Sequence, residues 1–331
     1  MRKLATVRTI SQITPIQGAD RIELAVVDGW KCVIKKGEFA VGDRVVYCEI
    51  DSFLPIRDEF EFLRSSSFKR MDEREGFRLR TVRLRGQISQ GLLLSTSILE
   101  QSPELGDDVS DQLGIVKYET PVPVQLAGDV VGPFPSSITK TDEERIQNLA
   151  SDYESFHGKE FFVSEKMDGT SFTAFFDQEF GVCGRNWQYA PSDTNLLWRM
   201  ARSQALDTKL ASLGRRIAVQ AELVGPGIQG NKYKLKKHRL FVFNIFDLDD
   251  FSYLEKDTVA ELCESLELEQ VPFIQRRSVP NSIDEILELA EGKSVINDET
   301  NREGLVWVHG SGNDRISFKT ISNAFLADDR D

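Results

Sequence analysis

Residues 161–170 read Phe-Phe-Val-Ser-Glu-Lys-Met-Asp-Gly-Thr. The aromatic and β-branched front of this run favours a strand, and Asp168-Gly169 is a turn signal. The strand therefore carries Lys166 to its own end, beside a carboxylate, a glycine and a hydroxyl. A lysine placed there either rests in solvent or uses its amine chemically. A lone Lys-x-Asp-Gly is compatible with an ordinary strand and turn, so the segments that follow it decide between the two.

At 331 residues the chain is long enough for two domains with buried cores. No apolar stretch is long enough to span a bilayer, and the start, Met1-Arg2-Lys3-Leu4, shows no secretory signal. Cys32, Cys48, Cys183 and Cys263 are scattered, with no CxxC pair and no histidine at metal-ligand spacing, which argues against zinc or a disulfide framework. A cytoplasmic monomer with reduced thiols is the expectation. The net charge of −12 argues at first against a nucleic-acid partner, but distribution matters more than the sum. Basic residues gather in Arg78–Arg85 and Lys232–Arg239, acidic ones in Asp247–Asp257 and Asp284–Glu291. The first basic run alternates with apolar residues, as in a strand with one charged face.

Residues 1–120 read as a small β-barrel, most simply an oligonucleotide-binding (OB) fold. Strand patterns at 22–27, 31–34 and 44–50 are separated by Asp28-Gly29, Lys36-Gly37 and Gly42-Asp43. A later pair, 80–84 and 91–94, brackets Arg85-Gly86-Gln87, and 58–74 reads as a long loop or short helix. Pro121, Pro123, Pro133 and Pro135 mark 121–137 as a linker. Thr141-Asp142-Glu143-Glu144 matches a capping box opening a helix to about Ala150. From residue 138 onward strands (160–164, 171–176, 216–222, 240–246, 304–308) mix with helices (193–205, 259–268, 282–291). The expected fold class is α+β: an OB-like barrel, then a domain of antiparallel sheets flanked by helices.

Five segments follow in order: Lys166–Thr170, Gly184-Arg185-Asn186, Ala221–Gly227, Phe243–Asp247 and Glu303–Trp307, closed by Ser317-Phe318-Lys319. Together they resemble the motif ladder of covalent nucleotidyltransferases: DNA ligases, RNA ligases and mRNA capping enzymes. In such a site the lysine amine attacks the α-phosphorus of a nucleoside triphosphate. A free lysine has a pKa near 10.4, so only about one in a few thousand is neutral at pH 7. The site is therefore expected to depress that value, through a divalent metal and a second cation, Lys319. Asp168, Glu222 and Glu303 lie at or near strand ends and suit a hydrated Mg²⁺ (or Mn²⁺), which prefers oxygen ligands.

The resemblance implies further roles. Glu303 is the leading metal ligand, with Asp168 and Glu222 supporting it or meeting the ribose. Glu165 and Arg145 belong to the nucleotide site, Arg145 at the β- and γ-phosphates. Phe246 stacks on the base, with Phe243 as the second choice. Arg185, with Asn186, grips a terminal phosphate of the nucleic acid. DNA ligases and capping enzymes generally place their OB domain after the catalytic domain, and here the barrel-like region comes first. That order resembles the Deinococcus and Naegleria type of ATP-dependent RNA ligase. It implies ATP as cofactor, and as partner a nicked duplex whose 3′-hydroxyl strand ends in RNA, gripped through a strand carrying Arg83 and Arg85. Many relatives have two lysines in the last motif, and Ser317 takes the first place here. The alternatives are an ATP-dependent DNA ligase, a capping-type guanylyltransferase, or a non-catalytic nucleic-acid-binding protein of the same fold.

Overall fold

The computed structural model describes residues 3–71, 73–85, 87–100, 102–118 and 130–328. The chain divides into two compact units, one mainly of residues 1–122 and the other mainly of residues 123–325.

The first unit holds β1 (Ala5–Thr9), β2 (Gln12–Pro15), β3 (Ile22–Val27), β4 (Trp30–Lys35), β5 (Arg44–Cys48) and β6 (Ser52–Pro55), then β7 (Phe68–Met71), β8 (Arg74–Arg78), β9 (Thr81–Leu84), β10 (Gln87–Gln90), β11 (Leu92–Ser95) and β12 (Val116–Lys117). Two one-turn helices, α1 (Arg64–Ser67) and α2 (Ser110–Leu113), join them. The strands pair in the orders β1-β5-β11, β2-β3-β4, β12-β6-β8-β7 and β9-β10. Side-chain alternation lets β5 serve two cores. Val45 and Tyr47 pack with Ala25, Trp30 and Ile34, while Val46 and Cys48 pack with Leu54, Phe60 and Phe77.

Two expectations change in this unit. The 80–84 strand pairs not with 91–94 but with β10, and β11 pairs with β5. Residues 87–90 carry no hydrophobic alternation because their polar groups are used inside: Ser89 Oγ accepts from Val33 N at 3.0 Å, and Gln90 O accepts from the Tyr47 hydroxyl at 2.8 Å. Segment 58–74 holds a 3₁₀ turn anchored by fully buried Phe60, then α1 and the β7-β8 hairpin.

The second unit contains β13 (Val130–Pro133), β14 (Glu144–Arg145), β15 (Glu160–Lys166), β16 (Thr170–Asp177), β17 (Glu179–Cys183) and β18 (Trp187–Tyr189), then β19 (Ile217–Val224), β20 (Arg239–Asp247), β21 (Ser252–Tyr253), β22 (Phe273–Ser278), β23 (Gly304–His309) and β24 (Ile316–Ile321). They form a seven-stranded sheet, β13-β18-β17-β16-β19-β20-β21, and a five-stranded sheet, β14-β24-β23-β15-β22. All pairings are antiparallel except β14 with β24. Helices α3 (Leu196–Ser203), α4 (Leu206–Ser212) and α5 (Lys256–Ser265) bury one face of the larger sheet through Trp198, Leu206, Leu210, Val259 and Cys263 against Phe172, Val219, Val242 and Ile245. Asn195 caps α3, its side chain accepting from Leu197 N and Trp198 N. Ser282 caps α6 (Ile283–Glu288) by accepting from Glu285 N, as its capping box predicts. In the smaller sheet Phe318 stacks between Phe156 and Trp307, with ring centroids 5.6 and 5.8 Å away.

Thr141–Glu144 does not open an α-helix. Glu144 and Arg145 pair with Phe318 and Lys319 as β14, and 3₁₀ turns cover Ile146–Phe156 with no side-chain cap. A distant strand supplies backbone partners that a local cap cannot match. The expected linker is also shorter. Residues 121–129 lie outside the described residues, while Val130–Pro133 pairs with β18 and Phe134 is buried with Phe175 and Phe246.

Gly304 opens β23 against β24, and a Cβ there would lie 2.0 Å from Thr320 O. Gly304→Ala is expected to cost about 1–3 kcal/mol through overpacking. Urea unfolding should show the lower midpoint, whereas Gly132→Ala, with no atom within 4 Å, should leave it unchanged.

Candidate active site

Lys166 is the last residue of β15 and pairs with Gly304, so Glu303 arrives beside it from the start of β23. Lys166 Nζ lies 2.7 Å from Glu303 Oε1, and these side chains keep 26% and 16% of their exposure. Glu222 stands on β19 opposite Ser171, and its Oε1 accepts from Gly169 N at 3.1 Å. Asp168 Oδ2 is 3.0 Å from Lys232 Nζ. Two strand ends and one turn thus bring three carboxylates around a single amine.

The charges are strongly coupled. Burial alone would lower the Lys166 pKa, but Glu303, Glu222 and Asp168 outweigh it and hold the ammonium form above the ordinary lysine range. Burial pushes Glu222 up to about 8, with Glu303 and Asp168 adding to the rise against Lys166. Burial likewise raises Glu303.

The turn after Lys166 is held by the loop that leads from Gln229 into the second basic run. The Asp168 amide donates to the Tyr233 hydroxyl at 2.7 Å, and Gln229 Nε2 donates to Gly169 O at 3.4 Å. Tyr233 is buried against Met167 and Phe241. The available signal was an aromatic in the middle of a lysine run. Gly169 itself has no room for a side chain, since a Cβ would meet Leu223 O at 2.4 Å.

Glu165 points away from this cluster, as strand alternation requires. It is 1% exposed, and its Oε2 accepts from Val295 N at 2.8 Å. Its carboxylate fastens the 294–295 turn, so a nucleotide contact from Glu165 is left to its backbone. Phe246 is likewise corrected: it is 1% exposed and packed among Phe134, Ile138, Phe175 and Ala218, so no ring face is left for a base. Phe243 is half-buried beside the cluster that contains Met167. It occupies a β-bulge, because Gln220 pairs with Asn244 while Ala221 pairs with Val242.

A second group of charges lies on β14, β24 and the loop before them. Arg145 is buried in register with Lys319. Lys319 Nζ and Arg185 Nη2 reach Asp142 at 3.5 and 3.4 Å. Arg315, beside Ser317, is 3.0 Å from Glu143 and donates to the Ser317 hydroxyl. Asn186 Oδ1 accepts from Lys140 Nζ at 3.2 Å. In the N-terminal unit Arg83 lies on β9 opposite Ile88, and Arg85 is exposed at positive φ in the turn that follows. Arg78 is engaged by Asp51 and by the Tyr118 ring.

The carboxylates suit a hard cation by donor type. Among the described residues, however, no three acidic, histidine or cysteine side chains form a ready cage. This matches the way Mg²⁺ binds, through one or two carboxylates plus water and substrate phosphates.

An OB-fold domain model matches residues 4–96, and the RNA ligase family model matches residues 159–321. No curated protein matches the chain. The Naegleria gruberi RNA ligase solved with PPi is 43% identical, with 98% of each chain covered and a TM-score of 0.88. A lysine-to-alanine variant of that ligase with ATP and Mn, and a glutamate-to-alanine variant with AMP and Mn, are each 43% identical. Both cover 99% of this chain and 100% of theirs at a TM-score of 0.89. With that identity along its whole length, and with both domain matches in the expected order, the chain belongs to the RNA ligase family and carries an N-terminal OB-fold domain.

Proposed function

We propose that this ATP-dependent RNA ligase seals 3′-hydroxyl and 5′-phosphate ends at nicks through an AMP bonded to Lys166. The observation that carries the reading is the Lys166 amine held 2.7 Å from Glu303 inside a ring of carboxylates. Lys166 Nζ, once it gives up a proton, attacks the α-phosphorus of ATP. A nitrogen–phosphorus bond forms, the bond to the bridging oxygen breaks, and pyrophosphate leaves. The 5′-phosphate of the nick then displaces Lys166 and takes the AMP as a 5′–5′ pyrophosphate. Finally the 3′-hydroxyl attacks the 5′-phosphorus and AMP departs.

Each step asks something of named residues. Glu303 is the nearest acceptor for the Lys166 proton. Lys319 and Arg145, neighbours across β24 and β14, offer positive charge to the phosphates, where fixed charges act most strongly as charge develops. Arg185 and Asn186 suit the nucleic-acid phosphate, and Phe243 takes the stacking role. Glu303, with Glu222 or Asp168, would hold Mg²⁺ or Mn²⁺, which supplies positive charge that favours the neutral amine and offsets phosphate repulsion. The solved relatives with ATP, AMP and Mn support this choice of cofactors.

The OB domain is assigned to the duplex, with the β9-β10 hairpin and its Arg83 and Arg85 as contact strand. The four cysteines are buried free thiols, which fits a reducing cytoplasm, and among the described residues no helix is long and apolar enough to cross a membrane. The chain is taken to act as a monomer.

Incubation with labelled ATP and Mg²⁺ should add one AMP to the wild-type protein by mass spectrometry, and none to Lys166→Ala. Labelling by GTP instead would mark a capping-type enzyme. Sealing that is indifferent to a ribose or deoxyribose 3′ end would favour a DNA ligase.

The pH behaviour of Glu222 gives a further test. Its folded pKa of about 8 lies above the ordinary glutamate value near 4.3. The folded protein therefore binds more protons than the unfolded chain in that interval, and this group lowers stability as pH rises through it. Glu222→Gln keeps an acceptor for Gly169 without the charge. Its melting temperature should gain on wild type by about ten degrees from pH 5 to pH 8, at a scale of about 2–4 °C per kcal/mol. A constant difference across that range would contradict the buried-charge account.

A further inference from the structure

The outer edge of β20 can be accounted for group by group. Ile245 O accepts from Leu254 N at 3.0 Å, Val242 N donates to Glu269 O at 2.8 Å, and Val242 O accepts from Val271 N at 3.0 Å. Between these backbone partners lies the bulge at Phe243. The Lys256 amine fills the gap, donating to Phe243 O at 2.5 Å and to Asn244 Oδ1 at 2.9 Å. Its reach comes from the first position of α5, whose Val259 and Cys263 are fixed in the core.

The bulge decides which way Phe243 faces. In a regular strand, residues three apart point to opposite faces. Val242 and Ile245 are three apart, yet both pack in the core beneath the helices. Phe243 and Phe246 are also three apart, yet both pack on the other side of the sheet. One extra residue at position 243 produces both exceptions. Phe246 is locked in its own cluster, so loss of the bulge would turn Phe243 rather than Phe246. We propose that Lys256 is a positioning residue for the nucleobase: its amine pins the β-bulge that presents the Phe243 ring on the Lys166 side of the sheet.

The placement is costly, which is why it invites a function. Burial of the amine, with Arg315 nearby, pulls the Lys256 pKa down to about 7. An apolar side chain of similar length would pack there without that penalty. A purely structural role would require only that the carbonyl be satisfied, and the two roles separate experimentally.

The proposal rests on the reading of Phe243 as the stacking ring, and the test resolves the two. Single-turnover formation of enzyme-bound AMP is followed against ATP concentration for wild type, Phe243→Ala, Lys256→Met and the double variant, with melting temperature measured alongside. Base–aromatic stacking is worth about 1–3 kcal/mol, so Phe243→Ala should raise half-saturation by about tenfold with little change in maximal rate. Lys256→Met should do the same, and the double variant should be no worse than either single one. Should Lys256→Met fail to fold, Lys256→Gln replaces it in the same cycle. Unchanged half-saturation in Phe243→Ala would overturn the stacking assignment and the proposal with it. A normal response to ATP in a Lys256 variant, beside an impaired Phe243→Ala, would overturn the positioning role alone. So would effects that multiply in the double variant.

Discussion

The ion pair between Lys166 and Glu303 is the constraint around which the catalytic unit is arranged. It exists because β15 and β23 are neighbours with Lys166 opposite Gly304, and Gly304 permits the close approach of β24 from the other side. With Glu222 and Asp168 nearby the amine is kept charged. A charged amine is not a nucleophile, so on the proposed reading the proton must leave Lys166 before it can attack. On that reading a divalent cation held by the carboxylates would supply the positive charge that favours the neutral amine.

The same economy explains the second charge cluster. Asp142 is shared by Lys319 and Arg185, and Glu143 is held by Arg315. Two adjacent acids on one loop thus hold cations from three separate positions close together. Arg315 also bears on the departure at Ser317. Residues 315, 317 and 319 alternate onto one face where the strand is regular, and the Arg315 guanidinium donates to the Ser317 hydroxyl. Positive charge absent from position 317 is present two residues earlier.

The placement of the site residues was legible in the sequence wherever it depended on local signals. Lys166 ends β15 and Asp168 follows it, Glu222 lies near the end of β19 and Glu303 immediately precedes β23, all beside strands whose apolar pattern is plain, and their clustering follows from strand pairing. What was not legible depended on register. A β-bulge leaves no mark in composition, so the sequence ranks Phe246 ahead of Phe243, although the pairing of β20 with β19 leaves Phe246 buried and Phe243 half-buried. Thr141–Glu144 looked like a helix start because the box is a four-residue pattern, while its actual partner, β24, lies about 175 residues away. Glu165 differs for a simpler reason: alternation sends its side chain and that of Lys166 to opposite faces, and its carboxylate is engaged by Val295 N.

The two basic runs show how charge sums mislead in the same way. Within Lys232–Arg239, Lys232 is paired with Asp168 and Tyr233 braces the turn after Lys166, while Lys236 and Lys237 remain exposed. Within Arg78–Arg85, Arg78 is committed to Asp51 and Tyr118 while Arg85 is exposed. Each run therefore divides into residues that build the fold and residues that face solvent. Attraction for a phosphate backbone belongs to the second kind, because a cation already paired in the protein gains little from a new anion. A net charge of −12 is then no obstacle to a nucleic-acid substrate. Many of the acids it counts are occupied in ion pairs, Glu303 with Lys166 and Asp168 with Lys232 among them.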